Sequence, residues 1–67
     1  MDIKNIGPNI KRLRKQKGLT QTAIAIALHV TPQAVSRWET GACYPDLESL
    51  INLAVHFHVT VDDLLRK

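Results

Sequence analysis

Gln33 and Arg37 stand four residues apart, a spacing that puts both on one face of a helix. Their chemistry suits the edges of base pairs. A glutamine amide donates to N7 and accepts from N6–H of adenine. A guanidinium bridges O6 and N7 of guanine, or else grips a phosphate. Between them, Ala34 either touches a thymine methyl or serves simply as a good helix former. No other constellation offers comparable chemistry. His56 and His58, two apart, do not share a helix face, and no cysteine or carboxylate spacing completes a metal site with them. The lone Cys43 reads as an incidental loop residue. There is no phosphate-cradling glycine loop, nucleophile motif or paired-carboxylate arrangement, so neither catalysis nor a cofactor is expected. One Trp, one Tyr and one Phe make no stacking platform for single strands, and Trp38, three residues after Val35, reads as core.

Two short helices and a tight turn must hold these side chains. Thr20 is placed to cap the first helix, whose apolar stripe is Ile24, Ala25 and Leu28. Thr31 is placed to cap the second, with Pro32 at the first helical position, where its missing N–H costs nothing. That second helix turns Val35 and Trp38 inward and leaves Gln33, Ala34, Ser36 and Arg37 outward. The helix-turn-helix so formed covers about residues 20–40. Ahead of it, a helix is predicted from just after Gly7, near Pro8, to Gly18, which suits a left-handed cap. Ile6, Ile10 and Leu13 form its apolar stripe, with Lys11, Arg12 and Lys15 in water. Beyond Gly41 and a loop over residues 42–45, Asp46 caps a fourth helix with the stripe Leu47, Leu50, Ile51, Ala54 and Phe57. Thr60 and Asp63 form a capping-box-like pair for a short fifth helix carrying Leu64 and Leu65. Period-two alternation is absent, so the expectation is an all-α fold, five short helices around one core, as one domain over residues 1–67.

Composition bounds the function classes. At 67 residues and 45% apolar content the chain is one small globule, too apolar for disorder. No apolar run approaches the roughly 20 residues of a membrane span, and the N-terminus lacks the apolar stretch of a signal peptide. A single cysteine precludes an internal disulfide, which fits a reducing cytoplasm. Charge is unevenly spread. Lys4, Lys11, Arg12, Arg14, Lys15, Lys17 and Arg37 face only Asp2 and Glu39 in residues 1–40, whereas Arg66 and Lys67 face Asp46, Glu48, Asp62 and Asp63 in the rest. That asymmetry fits either a polyanion docked on the N-terminal half or a solvated helix face.

From about Gly7 to Arg66 the layout resembles the Xre family of phage-repressor-type helix-turn-helix proteins. Arg14, Gly18, Leu19, Thr20, Gln21, Ala25, Val35, Ser36, Trp38, Glu39 and Gly41 carry the resemblance, with Tyr44-Pro45-Asp46-Leu47 and the run from Phe57 to Leu65. It implies a compact lambda-repressor-like domain, bacterial or phage-encoded and cytoplasmic. Its expected role is to bind double-stranded DNA sequence-specifically, most simply as a repressor-type regulator of transcription. Gln33, Ala34 and Arg37 match positions that face bases. Gln21 matches a residue that clamps a phosphate, helped by the polarised helix N-terminus. Thr20, Thr31, Ser36 and Thr40 complete the phosphate-contacting set, and Arg14 and Glu39 match an ion pair tying helix 1 to helix 3. One recognition helix contacts few bases, so a homodimer on a palindromic operator is expected, joined on the helix 4–5 side through Val61 and Leu65.

Three departures from the family pattern stand out. His29 and His58 occupy positions where relatives often carry glycine in a left-handed conformation, which weakens both turns. Ala42 replaces a lysine that many relatives place near phosphate. The outward side of helix 2, Thr22, Ala23, Ile26 and Ala27, lacks the charges usual there and is either a docking surface or an ordinary alanine-rich face. The alternative function is a helical module of the same fold that binds a protein and reads no DNA.

Overall fold

A threonine or aspartate precedes four of the five helices, and each accepts a hydrogen bond from the backbone N–H three residues on, satisfying a donor that the first helical turn leaves orphaned. The computed structural model describes residues 3–66. Among them the helices are α1 (Ile6–Gln16), α2 (Gln21–Leu28), α3 (Pro32–Thr40), α4 (Leu47–Phe57) and α5 (Val61–Leu65), with no strand. Thr20, Thr31, Asp46 and Thr60 are the caps, and Thr60 with Asp63 closes a full capping box. The five-helix order and the caps match expectation; the start of α1 does not.

Gly7 and Pro8 lie inside the first turn of α1, not before it. Proline is tolerated there because a first-turn N–H has no intrahelical partner. Gly7 has a different reason. A Cβ on it would stand 2.3 Å from the Trp38 carbonyl oxygen and 2.9 Å from that of Glu39. The absent side chain lets α1 and α3 cross backbone to backbone. What the sequence presents as a helix boundary is a helix contact.

The core joins Ile6, Ile10 and Leu13 of α1 to Ile24, Ala25 and Leu28 of α2, Val35 and Trp38 of α3, and Leu64 of α5. The α4 stripe needs correction. Leu50, Leu53, Ala54 and Phe57 are buried, but Leu47 and Ile51 are exposed. Apolar residues surround most of this helix, so periodicity alone admits two faces; packing against α2 and α5 selects the Leu50–Leu53–Phe57 side.

Both histidines flagged above adopt left-handed backbone, His29 at φ 59° and His58 at φ 58°. Each ends its helix with two backbone hydrogen bonds to the preceding turn. Asn9 fastens the other end of the chain. It is 5% exposed, and its amide donates to the carbonyls of Leu64 (2.9 Å) and Arg66, at the open end of α5. Its own carbonyl oxygen accepts from Arg12 Nη2 at 3.2 Å.

Candidate nucleic-acid interface

The hinge between α2 and α3 fixes the site. Leu28 is buried, His29 reverses the chain in its left-handed conformation, and Thr31 starts α3 at once. Val35 and Trp38 then anchor α3, leaving an outer strip with Gln33 and Arg37 exposed one turn apart. Neither side chain forms a hydrogen bond or ion pair with another described residue, so both are available for a ligand. Ala34 and Ser36 are half-buried, and Ala34 packs partly against the core, which favours its helix-packing reading.

Behind α3 lies a polar node. Arg14 donates to Glu39 from Nε (2.7 Å) and Nη2 (3.1 Å), and from Nη1 to the Leu19 carbonyl at 3.0 Å. The pair is well shielded, with 12% of the Arg14 and 4% of the Glu39 side chain exposed. The hydrogen bonds to Glu39 hold the Arg14 pKa above its ordinary value, outweighing burial. The expected ion pair is therefore present and ties α1 to α3. A third donor was not legible: Gln21 Nε2 reaches Glu39 Oε1 at 3.2 Å. A planar carboxylate accepts from several donors at once, so one glutamate aligns α1, the start of α2 and the last turn of α3.

The remaining expected phosphate contacts divide by their hydrogens. Thr20 and Thr31 accept from Ala23 N and Ala34 N, which leaves each hydroxyl proton free to donate outward. Gln21 likewise keeps one amide hydrogen after bonding Glu39. The Thr40 hydroxyl spends its proton on the Arg37 carbonyl at 3.2 Å and must rotate before it can donate to an oxyanion. Lys11, Arg12, Lys15 and Lys17 are exposed on and just beyond α1. Asn9 and Gly7 were missed as structural determinants; the spacing Ile6, Asn9, Ile10, Leu13 would have put Asn9 on the buried face. Among the described residues no cluster of His, Cys, Asp and Glu could hold a metal ion, and no helix is long and apolar enough to cross a membrane.

Comparison with known proteins agrees with this geometry. The chain is 45% identical over 56 residues to the HTH-type transcriptional activator BcrR of Enterococcus faecalis, covering 84% of this chain and 28% of that protein. It is 41% identical over 58 residues to the uncharacterized HTH-type transcriptional regulator YqaE of Bacillus subtilis, covering 87% of this chain and 50% of that protein. The chain thus spans half or less of the length of these two relatives. In structure it is similar to the P22 c2 repressor solved with synthetic operator 9T, with a TM-score of 0.86 and 30% identity over 91% of this chain and 92% of that one. The N-terminal DNA-binding domain of SinR from Bacillus subtilis superposes with a TM-score of 0.83 at 28% identity, over 92% and 91% of the two chains. A helix-turn-helix family model, HTH_3, matches residues 10–64, and with the fold and hinge described above it places this chain in that family.

Proposed function

We propose that this domain binds double-stranded DNA sequence-specifically and regulates transcription, with α3 in the major groove and α2 across the backbone. The observation that carries the reading is the outer strip of α3. Gln33 and Arg37 are exposed, without partners among the described residues, on a helix whose position is fixed by Val35, Trp38 and Glu39. Gln33 reads a base, and Arg37 reads a guanine or grips a phosphate. The free donors of Thr20, Gln21 and Thr31, with Ser36 and Thr40, anchor the backbone, and the basic α1 side supplies the field that draws DNA in. Such a protein works in the cytoplasm, on the nucleoid. The similar proteins include an activator and a repressor, and site reading by α3 serves either sign of control. Two protomers on a palindromic site would supply the specificity that one short helix lacks.

Enrichment from a pool of random duplexes tests the reading. Repeated selection with the 67-residue chain should converge on a motif with two inverted half-sites about one helical turn apart. A pool that stays random while the protein retains duplex unselectively would overturn sequence-specific reading.

A further inference from the structure

Helix α1, the turn after α4 and the end of α5 frame an open cleft of about 290 Å³, lined by Arg12, Leu13, Val59, Asp63 and Arg66. Its floor is apolar: Leu13 is 8% exposed, and Val59 is half-buried against the core. Its rim carries two guanidiniums and one carboxylate. We infer that this cleft binds a small monocarboxylate with a compact aliphatic or aromatic body. The carboxylate meets Arg12 and Arg66, and the body covers Leu13 and Val59.

The donors are held in place and only partly used. Arg12 gives one N–H to the Asn9 carbonyl oxygen at 3.2 Å, and Arg66 gives its Nε–H to Asp62 at 2.6 Å. Their other N–H groups have no acceptor among the described residues, and a guanidinium presents such pairs in the geometry a carboxylate accepts. Asp63 limits the charge of the ligand. Its carboxylate is fixed by the Thr60 N–H at 3.0 Å, so the rim sums to a single positive charge and favours a monoanion over a dianion. The floor limits its shape, since an inorganic anion would leave Leu13 and Val59 uncovered. The volume sits at the lower end of small-molecule sites and suits one ring or a short branched chain.

The cleft is separate from the outer strip of α3. Gly7 is where α1 meets the Trp38 and Glu39 carbonyls, and Arg12 lies about 140° around α1 from it. The proposal does not rest on the DNA-binding reading. A chain that takes a carboxylate here yet enriches no duplex keeps the cleft and loses that reading instead.

Amide NMR of the labelled chain, titrated with sodium benzoate at constant ionic strength, tests the site. Both arginines are exposed, so binding should be weak, with a Kd on the order of a few millimolar. The amides of Arg12, Leu13, Val59, Asp63 and Arg66 should shift and saturate. Sodium chloride and butylammonium chloride should produce no saturating shift there, and inorganic phosphate should bind more weakly than benzoate. Arg12→Met and Arg66→Met should each weaken benzoate binding at least about fivefold. Far-UV dichroism on heating verifies that each variant folds, and either one alone suffices for the test. Shifts that stay linear to about 20 mM benzoate would overturn the proposal, as would shifts that chloride reproduces. Phosphate binding tighter than benzoate, or two folded variants that bind benzoate as the parent does, would overturn it equally.

Discussion

At the scale of single residues, Glu39 does more than a base-facing side chain does. It receives Arg14 and Gln21 together and is almost sealed from water. Removing it strands the Arg14 guanidinium. Glu39→Ala should cost about 3 kcal/mol, and a double replacement of Arg14 and Glu39 by methionine should cost less than either single one. A thermal-unfolding double-mutant cycle measures this, and additive effects would exclude coupling. The ion pair was legible because two matched positions carried it. The Gln21 bond was not, because it depends on where α2 begins relative to the last turn of α3. That bond also leaves Gln21 one donor for phosphate, so Gln21→Ala should weaken binding to every duplex alike and leave the preferred site unchanged. His58 gives a third residue-scale expectation. Its φ of 58° strains an L side chain, and His58→Gly should raise stability by up to about 1 kcal/mol, read as a higher melting temperature.

Among the elements, α1 and α4 show what pattern alone leaves open. Glycine followed by proline signals a break locally, yet here Gly7 is where α3 touches α1, information held only in the tertiary crossing. Gly7→Ala pushes a methyl against the Trp38 carbonyl, a backbone atom that cannot swing aside. It should cost at least about 2 kcal/mol by chemical denaturation despite alanine's better helix propensity. In α4 the apolar residues outnumber what one face needs, so the choice of buried stripe waited on packing against its neighbours. Caps were read correctly because their hydrogen bonds are local. Asp46, bonded by Ser49, and Asp63, bonded chiefly by the Thr60 N–H, both have carboxyl pKa values below their ordinary 3.8. A lowered folded-state pKa stabilises above the unfolded value and loses that stabilisation as pH falls through the lowered one. Melting temperature should therefore be flat above about pH 5 and fall below pH 4, and Asp46→Asn with Asp63→Asn should flatten that acid limb. An acid limb unchanged in the double variant would assign it elsewhere.

For the whole molecule, the division of labour follows from where charge and apolar surface lie. The basic side and the outer strip of α3 belong to one half, and the exposed apolar residues Leu47, Ile51 and Val55 of α4 to the other. With about four phosphates neutralised per protomer, log affinity should fall with log salt at a slope near −4 per protomer. A salt-insensitive complex would rule out this interface. The central claim is that α3 reads sequence, and one comparison tests it most directly. Parent and Gln33→Ala are titrated against the enriched duplex and a scrambled one at fixed salt. Gln33 is exposed and outside the core, so folding should be untouched. The expected result is a loss of about 1–3 kcal/mol on the enriched duplex, with relaxed preference at one base pair and unchanged binding to the scrambled one. If Gln33→Ala binds both duplexes as the parent does, α3 is not the reader.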